Sequence, residues 1–276
     1  MRISIITINY NNLEGLQKTM RSVLDQTYPD IEYIVIDGGS TDGSKAYIES
    51  CQQDLAYWIS EPDKGIFHAM NKGIEKTTGE YLLFLNSGDT LYSDSVIVES
   101  ANRMNDDSDI YYGNVLRHYK HQQPLLKIYP AKLDFSFFID SALPHQAVFS
   151  KRSLFSTIGY FNESYEIASD WELLTCAICK YNCSYRYLDI IISNYDMTGV
   201  SSQKSSQIIF KKERRTTYVK YFPAFMNDYE RFRYDHKFIK AHKLNKLKSI
   251  SQSKILIKVH QFVLNLLYLL SKKANF

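Results

Sequence analysis

Residues 81–89 read Tyr81, Leu82, Leu83, Phe84, Leu85, Asn86, Ser87, Gly88, Asp89. The unbroken apolar run predicts a strand buried on both faces, the pattern of a parallel sheet covered by helices. Asn86, Ser87 and Gly88 are turn formers and hand the chain on to Asp89. A carboxylate at the C-terminal edge of a buried strand stands where open α/β sheets bind ligands. A hard oxygen at that point suits Mg²⁺ or Mn²⁺ carrying a substrate diphosphate. The same nine residues also fit a strand that ends in an ordinary polar turn, so the flanking segments decide.

Upstream, Ile3, Ile5, Ile6 and Ile8 predict a first buried strand that ends in the polar turn Asn9, Tyr10, Asn11, Asn12. Leu16, Met20, Val23 and Leu24 follow at helical spacing. Residues 31–36 form a second, β-branched strand with Asp37 at its end, and 38–43 read Gly-Gly-Ser-Thr-Asp-Gly before a helix starting near Ser44. This is neither a G-x-G-x-x-G fingerprint nor a Walker loop, which needs a lysine. Asp37 fits two readings, a cap on the turn or an acceptor for a nucleotide base or ribose. Tyr57, Trp58, Ile59 and Ser60 make a short third strand. Asp63 and Lys64 then stand just before a helix carrying Ile66, Met70 and Ile74. Lys64 there either meets a phosphate at the helix N-terminus or is solvated.

Downstream, a helix is expected over about 93–104 and a fifth strand over 110–113; the order strand-helix-strand-helix-strand argues an α/β sheet, parallel in its first half. Residues 114–142 alternate weakly and suit a strand pair with a loop. Residues 143–149 read as a turn into another strand, with His145 placed to touch a phosphate, a metal or the acceptor, or to serve as a structural histidine. A turn at 159–163 leads to a helix opening at 168–174, and spacing alone favours Ser169 or Asp170 as its cap. Residues 185–188 and 190–195 read as two late strands closing the sheet.

Over its 276 residues the chain has a net charge of only +3, which hides an asymmetry: residues 204–276 carry 17 Lys+Arg against 4 Asp+Glu, while 1–203 carry 16 against 26. This divides the chain into a body, 1–203, and a basic helical extension, 204–276, suited to an anionic surface. In the last helix Ile255, Val259, Phe262, Leu266 and Leu269 share one face opposite a stripe that includes Lys254, Lys258 and Lys272. Such a helix fits an anionic membrane interface or the protein's own core. The basic residues there lack a recognisable nucleic-acid-binding fold, so no nucleic-acid partner is expected. Cys51, Cys176, Cys179 and Cys183 offer no second ligand pair at zinc spacing. They read as free thiols of a reducing cytoplasm. The first strand begins at Ile3, so no signal peptide is expected, and no apolar run reaches the ~18 residues of a membrane span.

Taken in order, the strand-end residues resemble those of the family 2 glycosyltransferases, with the GT-A fold, of bacterial capsule, exopolysaccharide and O-antigen synthesis. The likeness covers roughly residues 1–200. Residues 4–11 are similar to the opening strand, with Tyr10 and Asn11 matching at the nucleotide end and Ile8 in place of a frequent proline. Residues 36–43 resemble the base-binding segment: Asp37 takes the carboxylate position and Gly38 replaces a frequent second Asp. Asp63, Lys64 and Asn71 fall in the next donor-contacting loop and helix. Asn86 to Asp89 lie where the family carries its D-x-D metal motif, of which only Asp89 is present. Ser169 and Asp170 lie where it has its catalytic base, so the resemblance, against the spacing, implies Asp170 as base. It implies inverting transfer from a nucleotide-sugar, a UDP-sugar first among donors, to a saccharide or lipid-linked saccharide hydroxyl, with Mn²⁺ or Mg²⁺. Such an enzyme is cytoplasmic or peripheral on the inner face of the cell membrane. The rival readings are a non-catalytic sugar-nucleotide-binding protein and a nucleotidyltransferase on a similar α/β fold.

Overall fold

A computed structural model describes residues 1–199, 204–227 and 229–231. The first of its two compact units is 1–221, so it extends past the 203/204 junction expected from charge. The second begins at Phe222, and its described residues hold a 3-10 turn, Pro223–Phe225. The amphipathic helix expected over 254–272 lies outside the described residues.

The sheet is built first from β1 (Ile3–Asn9), β2 (Ile31–Asp37), β3 (Tyr57–Ser60) and β4 (Tyr81–Phe84), which run parallel in the order β3-β2-β1-β4. Every residue of β1 and β4 is buried, as continuous apolar strands between two helical layers require. Registers Asn9↔Asp37 and Asp37↔Ser60 bring three polar strand ends side by side.

Helices fill the crossovers. In α1 (Leu13–Leu24) Leu16, Met20 and Val23 face inward, and Asn12 caps it by accepting the Gly15 N–H at 3.1 Å. Helix α2 spans Ser44–Ser50 and α3 Ile66–Glu75. A Cβ at Gly73 would stand 2.5 Å from Ile6 Cγ2, so the missing side chain is what lets α3 lie directly on β1.

Beyond β4 come a two-residue strand β5 (Thr90–Leu91), α4 (Val96–Arg103), β6 (Ile110–His118), β7 (Leu125–Lys127), α5 (Phe135–Asp140), β8 (Val148–Lys151), α6 (Arg152–Ile158), α7 (Ser169–Cys179), β9 (Tyr185–Asp196) and α8 (Lys204–Tyr221). The sheet continues β4-β8-β6-β9-β5, with β7 on β6. β8 is turned end for end between β4 and β6, pairing Leu83↔Phe149 and Tyr111↔Phe149, and β5 and β7 also run antiparallel to their partners β9 and β6. This is the mostly parallel, helix-flanked α/β sheet expected, with some corrections. The fifth strand runs on to His118 as β6, so the weakly alternating 114–142 segment holds one new strand, β7, in place of the expected strand pair, and also α5. The two late strands are one, bent where Asp189 takes φ 45 and the pairing with β6 slips beside Gly113. There a Cβ on Gly113 would meet the Ile190 carbonyl at 2.7 Å. Among the described residues no helix is long and apolar enough to cross a membrane.

Candidate active site

Two clusters form at the C-terminal edge of the parallel strands. The first joins the ends of β1, β2 and β3. Asp37 is fully buried, and its oxygens accept Asn9 Nδ2 at 2.7 Å, Ser40 Oγ at 2.6 Å, the Ser40 N–H at 2.9 Å and Ser60 Oγ at 2.6 Å. Burial by itself pushes this carboxyl's pKa up, but the Ser40, Ser60 and Asn9 donors outweigh it and hold it below the usual range. Asn11 adopts φ 47; its N–H donates to Ser40 Oγ at 2.7 Å and its Oδ1 accepts the Thr41 N–H at 2.9 Å. Both residues therefore brace the 38–42 loop.

Tyr10, in contrast, is 66% exposed. A Cβ on Gly38 would lie 2.5 Å from Asp63 Oδ2 and 3.1 Å from Tyr10 Cδ2. Asp63 thus fills the space that a side chain at 38 would need, which accounts physically for glycine there. Its Oδ1 accepts the Gly65 N–H at 2.8 Å, turning the chain into α3 with Lys64 exposed beside it. Removing the Asp37 brace should be costly: Asp37→Ala leaves Asn9, Ser40 and Ser60 donors unpaired and is expected to destabilise the fold by roughly 3 kcal/mol or more. A shift in the urea midpoint checks this.

The second cluster spans β4, β8, α7 and β9. Asp89 is buried, and its Oδ1 accepts the Asp196 N–H at 2.8 Å. Burial raises its pKa to about 7; His145 and the Asp196 N–H pull it down, and the Asp196 charge pushes it up. Because β8 is antiparallel, the residues just before it reach this same edge. His145 Nδ1 lies 3.2 Å from Asp170 Oδ2, and His145 Nε2 is buried with no hydrogen-bond partner among the described residues. Asp170 Oδ1 accepts the Trp171 N–H at 2.7 Å, so the carboxylate sits on the first turn of α7, where the helix dipole favours negative charge. Asp170 and His145 form the polar end of a small cavity whose apolar wall includes Phe84, Phe155, Phe161 and Leu173.

Asn71 is buried in α3 and spends its amide on this second cluster. It donates to the Phe161 carbonyl and to Glu163, both at 2.9 Å, and accepts the Phe161 N–H at 3.0 Å. It holds the loop that leads into α7, and so ties the two clusters together. The free thiols Cys176 and Cys179 lie on α7, where burial pushes them up to about 12 and about 11; Cys183 lies past its end.

The oxygens around Asp89 fit a hard divalent cation. Asn86 Oδ1, on the same turn, is buried with no partner among the described residues. Asp196 Oδ2 faces that turn too, 3.3 Å from where a Gly88 Cβ would stand. A buried carboxyl titrating near neutrality beside a second carboxylate is the electrostatic condition a cation relieves. Asn86 and Asp196 add what the single acid of the motif lacked. Asp196 is not evident from sequence because it meets Asp89 only through the β9 pairing.

Reading spacing alone also passed over Glu213 and Arg214 of α8. Glu213 is buried and accepts the N–H groups of Glu166 at 2.6 Å, Ile167 at 3.1 Å and Ala168 at 2.8 Å. The Arg214 guanidinium lies 4.5 Å over the Trp171 ring. A signal was present: Glu213 is the single acid in a helix with six Lys and Arg.

The chain is similar in sequence and fold to known glycosyltransferases. The chain is 34% identical over 216 residues to an uncharacterized glycosyltransferase of Mycobacterium tuberculosis, covering 77% of this chain and 82% of the other. It is 29% identical over 206 residues to the PGL/p-HBAD biosynthesis glycosyltransferase of Mycobacterium bovis, covering 71% and 77%. Among solved structures, residues 1–349 of TarS from S. aureus in complex with UDP-GlcNAc share the fold at TM-score 0.63 and 18% identity, over 79% of this chain and 66% of that one. The mannosyltransferase PcManGT from Pyrobaculum calidifontis, in complex with GDP-Man and Mn²⁺, does so at TM-score 0.59 and 17% identity, over 79% and 63%. Residues 4–153 match the model of glycosyl transferase family 2, and the chain belongs to that family.

Proposed function

We propose that the protein transfers a sugar with inversion from a nucleotide-sugar to a hydroxyl of a saccharide or lipid-linked saccharide, in bacterial surface polysaccharide or glycolipid synthesis. The observation that carries this reading is the 3.2 Å contact of His145 with Asp170, on the same edge of the sheet as the buried Asp89. His145 bonds Asp170 and its charge acts on Asp89. Asp89 as the leaving-group site and Asp170 as the base would suit a single displacement.

Tyr10, Asp63 and Lys64 offer their exposed faces to the nucleotide, Asp37 and Asn11 fix the loop beside them, and Asn71 fixes the loop that leads to Asp170. Asp89, with Asn86 and Asp196, would hold the divalent cation, Mn²⁺ or Mg²⁺. An ion held there would supply neutralisation of the charge on the departing diphosphate. Asp170 accepts the acceptor's hydroxyl proton as that oxygen bonds to the anomeric carbon and the bond to the phosphate oxygen breaks. His145 Nε2 is left to contact the acceptor or the phosphate. UDP-sugars are the first donors to test, and a lipid-linked acceptor places the enzyme on the inner face of the cell membrane. The solved neighbours named for UDP-GlcNAc and GDP-Man support a nucleotide-sugar donor, and the relative named for PGL/p-HBAD biosynthesis supports a glycolipid acceptor.

The test is nucleotide release from a panel of UDP-, GDP- and dTDP-sugars, with Mn²⁺ or EDTA, in the presence of a lipid-linked saccharide pool. Metal-dependent release from one donor is expected. Tight nucleotide-sugar binding with no release under any acceptor would favour the non-catalytic binding protein.

A further inference from the structure

We infer that Glu213 is a positioning residue for Asp170, which makes α8, from the basic part of the chain, a component of the catalytic apparatus. The inference rests on the reading of Asp170 as the base.

Helix α7 begins without a side-chain cap, since its N-cap residue is Ala168. The backbone that enters it, 166–168, lies outside any strand or helix, so its N–H groups need an acceptor from elsewhere. Glu213 is that acceptor for three consecutive residues, 166–168. A buried carboxylate is tolerated only when charge-assisted hydrogen bonds replace its water, and these three supply them. The next residue along α8, Arg214, stacks on Trp171 and donates to the Phe138 carbonyl, which Trp171 Nε1 and Tyr218 Oη also reach, at 3.1 and 2.9 Å. Neighbouring positions on one helix point about 100° apart. The pair therefore grips α7 on either side of Asp170, Glu213 by the backbone before it and Arg214 by the ring after it. The position of the Asp170 carboxylate relative to His145 is fixed by a helix that contributes no atom to the site itself. Thr217 of α8 adds to the grip, donating to Glu172 at 3.3 Å and meeting Tyr165 Oη at 2.9 Å.

A residue that only held the fold together would lower activity in proportion to the folded fraction. A positioning residue lowers turnover while leaving donor binding alone, because small misplacements of a reacting group cost rate steeply. In the full-length protein, Glu213→Gln keeps the size but replaces one of the two accepting oxygens with an NH₂, so at least one of the three N–H groups loses its acceptor and meets a donor instead. Using the donor identified by the release panel, kcat should fall at least tenfold, with donor KM and calorimetric UDP affinity in Mn²⁺ within twofold of wild type. Hydrogen exchange of the 166–171 amides should quicken at least tenfold, with the β1–β4 amides unchanged. Glu213→Asp should recover part of the lost kcat. Wild-type kcat in Glu213→Gln, or a fall matched by loss of folded protein with no local change in exchange, would overturn the inference. Asp170→Asn separates the two readings. If it is inactive while Glu213→Gln is fully active, the positioning role fails and the base stands. If Asp170→Asn is fully active, the base assignment fails, and the positioning role with it.

Discussion

Asp170→Asn is expected to lower sugar transfer by about 10²- to 10⁴-fold, the usual contribution of a positioned general base, while nucleotide affinity and the thermal midpoint stay near wild type. The substitution isolates basicity. Asparagine keeps the shape, and its amide oxygen can still accept the Trp171 N–H that Asp170 Oδ1 takes. The other amide position still faces His145, which bonds the carboxylate at 3.2 Å. What is lost is the ability to take the acceptor's proton. The nucleotide side, built from Tyr10 and Asp63 around Gly38, is left in place. A variant that transfers sugar at the wild-type rate would remove Asp170 from the mechanism.

Asp89→Asn is expected to act in opposite directions on catalysis and on metal-free stability. Transfer should fall by about 10²-fold or more, as loss of electrostatic stabilisation at a leaving group does, and the gain in thermal midpoint from added Mn²⁺ should disappear. The metal-free variant should nonetheless be more stable than metal-free wild type at pH 8. Burial lifts the Asp89 pKa from 3.8 to about 7, so the folded protein holds a proton that the unfolded chain has released. Stability from this group is full below about pH 4 and is lost as pH rises to about 7. Asparagine, uncharged throughout, has no such loss. Melting curves at pH 5 and pH 8, with Mn²⁺ and with EDTA, check both signs. A variant less stable than wild type at pH 8 without metal would contradict the assignment of Asp89 as an electrostatically strained carboxylate.

The parallel half of the sheet was legible because its residues obey one rule at a time. Strand β4 is a continuous apolar run and β1 and β2 are apolar runs broken only by Ser4, Thr7 and Glu32, all ended by polar or turn-forming residues, and α1 and α3 carry their apolar residues at helical spacing. Elements that break such rules escaped. Helix α6 starts directly from β8 at Arg152 with no cap or turn residue between. Helix α5 is six residues, three of them phenylalanine, too short to show a period. β9 contains an acid in the left-handed region, and a charged residue inside an apolar run reads as a break.

Within the site, residue types were easier to read than their partners. Asp89, His145 and Asp170 stood out as chemistry-bearing side chains, and the structure brings them together. Asp37, Asn11 and Asn71 stood out equally, yet their polar atoms are taken up by the protein. Only pairing across the sheet, Asn9↔Asp37 and Asp37↔Ser60, discloses that. Glu213 went unread for the same reason: its partners are backbone groups, which leave no mark in a sequence.

The clamp on α7 also sets the order in which the ribosome delivers the site. The nucleotide-side residues and Asp89 all lie within the first ninety residues, His145 follows, and Asp170 emerges well after them. The helix that grips Asp170 is made last, at 204–221. A growing chain that has completed β8 therefore lacks Asp170, the proposed base, and one that ends before residue 213 has Asp170 without the proposed clamp. Competence arrives with the C-terminal portion of the first unit, after the sheet that defines the family has already been synthesised.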